Sequence, residues 1–235
     1  MAINTPFFSL TMGKNKLRRF AENETFENLF QHHNFDARNE AFSLKGNWHT
    51  NYFKNNHPIV LELGCGRGEY TIGMAQRFSD KNFIGIDRKG ARIWRGCKDA
   101  IEQNLKNVAF LRIKIEDIEH YFNKNEISEI WITFPDPQVR KVRRRLISPN
   151  FIDKYQKILN TTGIVHLKTD SQELYHYVVE TAPIENWKII ENIPDVYNSG
   201  VTSVLTEIQT FYEKKWLTEG KTIMYLSLTP NSFNF

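Results

Sequence analysis

Residues Ile59–Glu69 read I-V-L-E-L-G-C-G-R-G-E. Ile59, Val60, Leu61 and Leu63 make an apolar run broken by one acid, Glu62, and closed by glycine, the pattern of a buried parallel strand. Gly64, Gly66 and Gly68 then alternate with Cys65 and Arg67; glycine at that density allows a sharp turn and lets a ligand lie against the backbone. Tyr70, Met74 and Phe78 follow at helical spacing, so the order is strand, glycine loop, helix. That order holds a nucleotide-like cofactor at the carboxyl ends of the strands in a doubly wound sheet. The spacing, E-x-G-x-G-x-G, differs from the dinucleotide fingerprint G-x-G-x-x-G. Residues 83–86 read as a second strand ending in Asp87, about 20 residues beyond the loop, where a carboxylate accepts ribose hydroxyls. A dinucleotide cofactor, or a tight strand–helix turn with no ligand, are the competing readings of the loop alone.

Working outward, the pattern alternates. Strands are expected at 59–63, 82–86, 108–113, 129–134, 164–167, 187–193 and 222–228. Helices are expected at about 68–78, 90–104, 149–159, 171–181 and 206–219, with Ser148 and either Asp170 or Ser171 as N-caps. This predicts an α/β fold: a mostly parallel, seven-stranded, doubly wound, Rossmann-like sheet over residues 56–235. Residues 1–55 show no clean period and read as a basic extension, mobile at least to residue 20, with Phe20, Phe26, Phe30 and Phe35 packing loosely on the rest.

Composition bounds the class. Of 235 residues, 40% are hydrophobic and 25% charged, as in ordinary globular proteins. Two cysteines, Cys65 and Cys97, make no disulfide framework, so a reducing cytoplasm is expected. Neither a signal peptide nor a membrane-spanning run is expected. His32-His33 has no cysteine or carboxylate cluster at ligand spacing, so no metal site is expected. The net charge of +4 is local in origin. Lys14, Lys16, Arg18 and Arg19 form one cluster, and Arg140, Lys141, Arg143, Arg144 and Arg145 another; without these nine the chain is net acidic. Clusters of this kind are the footprint of a polyanion.

The strand ends converge on one crevice. They supply Glu62 and Gly64, Asp87, the acids Glu116 and Asp117, and then Phe134-Pro135-Asp136-Pro137. Two prolines fix φ around Asp136 and aim it at a set point. A turn stop, and acids that merely open a helix, are the plain alternatives.

These residues resemble the bacterial tRNA (guanine-N7)-methyltransferases over about residues 57–228, and the glycine loop resembles that of class I S-adenosylmethionine (SAM) methyltransferases. The resemblance is carried by F-P-D-P with a basic stretch closing in R-R-R-L (134–146), by H-L-K-T-D (166–170), and by T-F-Y-E (210–213) with Gly220 ten residues on. It departs at Gln138, where tryptophan is usual, and the basic loop is about two residues short. The resemblance implies methyl transfer from SAM to N7 of guanine 46 in the tRNA variable loop, by a cytoplasmic monomer or homodimer. It implies cofactor contacts at Glu62, Gly64, Gly66, Gly68, Asp87, Glu116 and Asp136, with Asp136 catalytic. It implies substrate contacts at Arg140, Asp170, Thr210, Phe211, Tyr212 and Glu213. Lys141, Arg143, Arg144 and Arg145 are expected on RNA phosphates. An exocyclic-amine methyltransferase, which would want an aromatic at 138, and a silent RNA-binding subunit are the alternatives.

Overall fold

The computed structural model describes residues 8–32 and 41–231, with side chains from residue 15 onward. Phe35 and His33, and the side chain of Lys14, lie outside the described residues. One eight-stranded sheet runs through the molecule in the order β1-β4-β3-β2-β5-β6-β8-β7. The strands are β1 (Leu29–Gln31), β2 (Ile59–Leu63), β3 (Asn82–Ile86), β4 (Val108–Arg112), β5 (Ile127–Thr133), β6 (Leu159–Thr169), β7 (Trp187–Ile193) and β8 (Met224–Pro230). All neighbours from β1 to β6 pair in parallel; β8 lies antiparallel between β6 and β7. The helices are α1 (Phe8–Asn23), α2 (Glu69–Arg77), α3 (Gly90–Glu102), α4 (Pro149–Ile158), α5 (Gln172–Thr181), α6 (Val204–Glu207) and α7 (Phe211–Thr218).

The strand period of two sorts β2 between the faces. Ile59, Leu61 and Leu63 enter a core with Trp48, Ile84, Ile130, Tyr155 and Leu167. Val60 enters the other, with Tyr70, Met74, Phe83, Phe110 and Trp131. Glu62 shares that second parity, which turns its carboxylate toward α2. Gly85 and Gly96 leave room there for the fully buried Phe110; a Cβ on either would stand 2.7 and 2.6 Å from its ring.

Three expectations are corrected. The sheet has eight strands, because Leu29–Gln31 adds β1 beside β4. The described part of 1–55 is woven into the fold. Phe30 stacks edge-on against Trp48 and Tyr52 at 5.2 Å each, and α1 is tied to α3 by Asn23 Nδ2 donating to Gly90 O at 3.0 Å. These contacts are non-local, so no periodic signal announces them. The single helix expected at 206–219 is two, α6 and α7, because Thr210 is extended (φ −70°, ψ 163°) and caps α7. Of the caps, Ser171 accepts from Leu174 N at 3.2 Å, whereas the Ser148 hydroxyl donates to Arg143 O at 3.1 Å.

Candidate active site

A cleft of about 700 Å³ opens at the carboxyl ends of β2 and β5. Glu62, Gly64, Cys65, Gly66 and Arg67 line one part of it, and Thr133, Phe134, Thr210, Phe211 and Tyr212 another. Gly64 and Gly66 have φ of 76° and 58°, the left-handed region that glycine alone enters freely. A Cβ on Gly64 would meet nothing within 4 Å and one on Gly66 only Gly64 O at 3.9 Å, so the loop cradles open space that a ligand can fill.

Glu62 lies buried on the floor. It accepts from Thr71 N at 2.8 Å, from the Thr71 hydroxyl, and from Thr133 Oγ1 at 2.8 Å. Burial pushes its carboxyl up to about 7 although those three bonds oppose the rise. Asp87 is nearly buried and braces the loop, accepting from Gly66 N at 3.0 Å and Lys89 N at 2.8 Å. Each of its oxygens keeps a second lone pair for an outside hydroxyl. A floor carboxylate, an open glycine cradle and a braced acid at the end of the next strand together suit a cofactor with a cationic amino-acid end and a ribose.

The turn after β5 is strained at both ends. Phe134 and Gln138 adopt φ of 49° and 48°, bracketing Pro135-Asp136-Pro137. Left-handed non-glycine residues cost about 1–3 kcal/mol each and concentrate at functional sites. Sequence marked the prolines, Phe134 and Gln138, but nothing in it marked the left-handed backbone at the last two. Asp136 is exposed, two residues beyond cleft-lining Phe134, and its Oδ1 accepts from Gln138 N at 3.0 Å.

The α7 start faces this turn. Phe211 and Tyr212 are 53% and 46% exposed, two large aromatic rings left open at the cleft. The Arg67 guanidinium lies over the Phe211 ring at 5.4 Å, and Phe211 N donates to Glu69 Oε2 at 3.0 Å. Thr210 caps α7 by accepting from Glu213 N at 3.1 Å. Glu213, expected to touch substrate, points inward instead: it is fully buried, with Oε1 2.5 Å from the equally buried Lys168 Nζ. Burial pushes the Lys168 amine down and the Glu213 carboxyl up, and their mutual attraction works against both. Local spacing could not show this, since Lys168 lies on β6.

The remaining site residues divide. Arg140, Lys141, Arg143 and Arg144 are exposed. Arg145, expected among them on phosphate, is 3% exposed: Nε donates to Pro137 O at 2.9 Å, the guanidinium pairs with Glu173, and it lies 4.5 Å over Tyr177. It braces the Asp136 turn. Asp170 is held by Lys221 Nζ at 2.8 Å. Glu116 is exposed and lines a separate depression with Arg143, Arg144 and Lys154, not the cleft. Among the described residues no three His, Cys, Asp or Glu side chains group at metal-ligand spacing, and no helix is long and apolar enough to cross a membrane.

Known proteins share this frame. A family profile described as "Putative methyltransferase" matches residues 56–226. A Christiangramia forsetii protein named tRNA (guanine-N(7)-)-methyltransferase is 51% identical over 216 residues, covering 91% of this chain and 96% of its own. A Bacteroides fragilis protein of the same name is 46% identical, covering 92% and 85%. Among solved structures, the 16S rRNA methyltransferase KamB superposes with a TM-score of 0.59 at 14% identity, over 77% of this chain and 90% of its own. An antibiotic-related methyltransferase gives 0.58 at 15%, over 80% and 95%. At those identities the structures speak for the fold.

Proposed function

The chain belongs to the tRNA (guanine-N7)-methyltransferases, and from that premise we propose that its acceptor is guanine 46 in the tRNA variable loop, methylated in the cytoplasm by a monomer or homodimer. The cofactor is SAM, which supplies an electrophilic methyl on a sulfonium. Glu62 on the cleft floor would hold its cationic end, Gly64 and Gly66 would leave room for it against the loop, and Asp87 would receive the ribose hydroxyls.

Guanine N7 carries a lone pair and no proton, so no residue need act as base. As N7 bonds to the methyl carbon and the carbon–sulfur bond breaks, positive charge passes to the guanine ring. A carboxylate beside that ring stabilises charge that develops in the transition state, and Asp136 is suited to this. Phe134, Phe211 and Tyr212 offer ring faces on which a splayed-out base can stack. Arg140, Lys141, Arg143 and Arg144 are suited to gripping phosphates outside the cleft. The observation that carries the reading is one cleft lined by an open glycine cradle and by Thr133 and Phe134, the residues that lead from the adjacent paired strand into the strained Pro-Asp-Pro turn.

Incubation with SAM and bulk tRNA, followed by nucleoside analysis, tests it. N7-methylguanosine is expected, lost by at least a hundredfold in kcat in Asp136→Ala while melting temperature and SAM affinity hold. A methylated exocyclic amine, or product formed normally by Asp136→Ala, overturns the assignment.

A further inference from the structure

Lys168 is the point where the two walls of the cleft meet. It is the last residue but one of β6, with no side-chain exposure at all. Its backbone carbonyl accepts from Phe134 N at 2.8 Å, fixing the start of the Pro-Asp-Pro turn. Its ammonium donates to Leu205 O at 2.6 Å, in α6, and pairs with Glu213 in the first turn of α7. The same ammonium lies 5.4 and 5.8 Å from the rings of Tyr70, on α2, and Phe134. Glu213 Oε1 also accepts from the Tyr197 hydroxyl at 2.8 Å, and that oxygen in turn accepts from Gln209 Nε2 at 3.0 Å.

Such a pair is a poor device for stability alone. Removing two charges from water costs much of what their attraction returns, and apolar residues of equal volume hold a core as well or better. What the pair does supply is direction. An ammonium with three donors fixed to a carbonyl, a carboxylate and two ring faces admits one placement of α7. Helix α7 is only eight residues long and begins with Phe211 and Tyr212 at the cleft; besides this tether, its first turn is held by the Thr210 cap, the Tyr197–Glu213 bond and the exposed Glu69 and Arg67 contacts with Phe211.

We infer that Lys168, through its buried ion pair with Glu213, is a positioning residue that sets the Phe211–Tyr212 wall of the base pocket against the Phe134–Asp136 wall. The inference rests on the acceptor assignment above. It follows that the pair acts on turnover and not on cofactor or phosphate binding. Misplacing a reacting pair by about 1 Å costs on the order of a hundredfold in rate.

The test replaces both charges by apolar residues of like volume, Lys168→Met with Glu213→Leu. Expected are a melting temperature within a few degrees of the parent, SAM affinity and tRNA KM within about threefold, a kcat lowered tenfold or more, and faster amide exchange across residues 204–218. A double variant with parental kcat overturns the inference whatever its exchange. Should it fail to fold, Tyr197→Phe decides, since it loosens Glu213 by one hydrogen bond: a severalfold fall in kcat at unchanged melting temperature supports the inference, and parental kcat overturns it. Amide exchange needs no tRNA. Where the parent itself makes no N7-methylguanosine, kcat is replaced by exchange as the readout: faster exchange in the double variant than in the parent then faults the acceptor assignment and leaves the tether standing, whereas unchanged exchange faults the tether itself.

Discussion

Glu62 places an acid inside an apolar strand, and its carboxyl rises to about 7 because burial outweighs the three bonds it accepts. The folded chain therefore binds more protons than the unfolded one between the ordinary value of 4.5 and about 7, and the stability this residue contributes falls as pH rises through that window. The cofactor's positive charge should pull the carboxyl back down and release a proton. SAM affinity is thus expected to rise with pH up to about 7 and then level off, with proton release visible by calorimetry in two buffers of different ionisation enthalpy. Glu62→Gln should abolish the pH dependence. The arginines of the basic loop divide in the same residue-by-residue way. Arg143→Ala with Arg144→Ala should lower the salt dependence of tRNA affinity by roughly 0.7–0.9 for each phosphate no longer gripped, with kcat spared. Arg145→Ala should leave the salt slope alone, cost about 1–3 kcal/mol of stability, and lower kcat by freeing the turn that carries Asp136. Filter binding across a salt series and a thermal melt separate the two. Spacing singled out Glu62, the glycines and Asp87 as candidates, and the two flanking prolines singled out Asp136. It could not separate Arg145 from its neighbours, because the inward turn of that side chain is set by Glu173, 28 residues away on α5.

At the scale of elements, the cofactor loop depends on how closely α3 approaches it. A Cβ on Gly96 would lie 2.6 Å from the Phe110 ring and 2.9 Å from Arg67 O, and one on Gly68 2.8 Å from the same ring. Gly96→Ala is expected to cost about 1–3 kcal/mol by overpacking and to weaken SAM binding, because the shift is passed to the loop at Arg67. Phe110→Leu in the same chain should restore part of both, read by thermal melt and calorimetry; a Gly96→Ala protein with parental SAM affinity would show that loop and helix are not coupled. Periodicity reported that β2, α2 and β3 exist, since their signals are local. It merged α6 with α7 because the break falls at a threonine whose φ and ψ are ordinary for a cap and mark no composition change.

For the whole molecule, the alternation of strand and helix was enough to give a doubly wound parallel sheet, and the comparisons agree on that frame. The described residues ahead of β2 were opaque for a physical reason. Their order comes from partners far along the chain, as when the Trp48 indole donates to Tyr121 O at 3.2 Å and Tyr52 OH to Val108 O at 2.9 Å.

The order of strands also has a consequence in time. β7 holds its place through β8, yet β8 follows it in the chain. On a ribosome adding roughly 5–20 residues per second, β7 waits on the order of a few seconds for its neighbour, with α6 and α7 emerging in between. During that interval Trp187 and Ile193 belong to a strand with no partner, the kind of exposed edge that invites pairing with another chain. The sheet edge, the α7 wall and the Lys168–Glu213 pair are thus completed in the last stretch of synthesis, and a nascent chain stalled before Thr210 carries the glycine loop without the α7 wall.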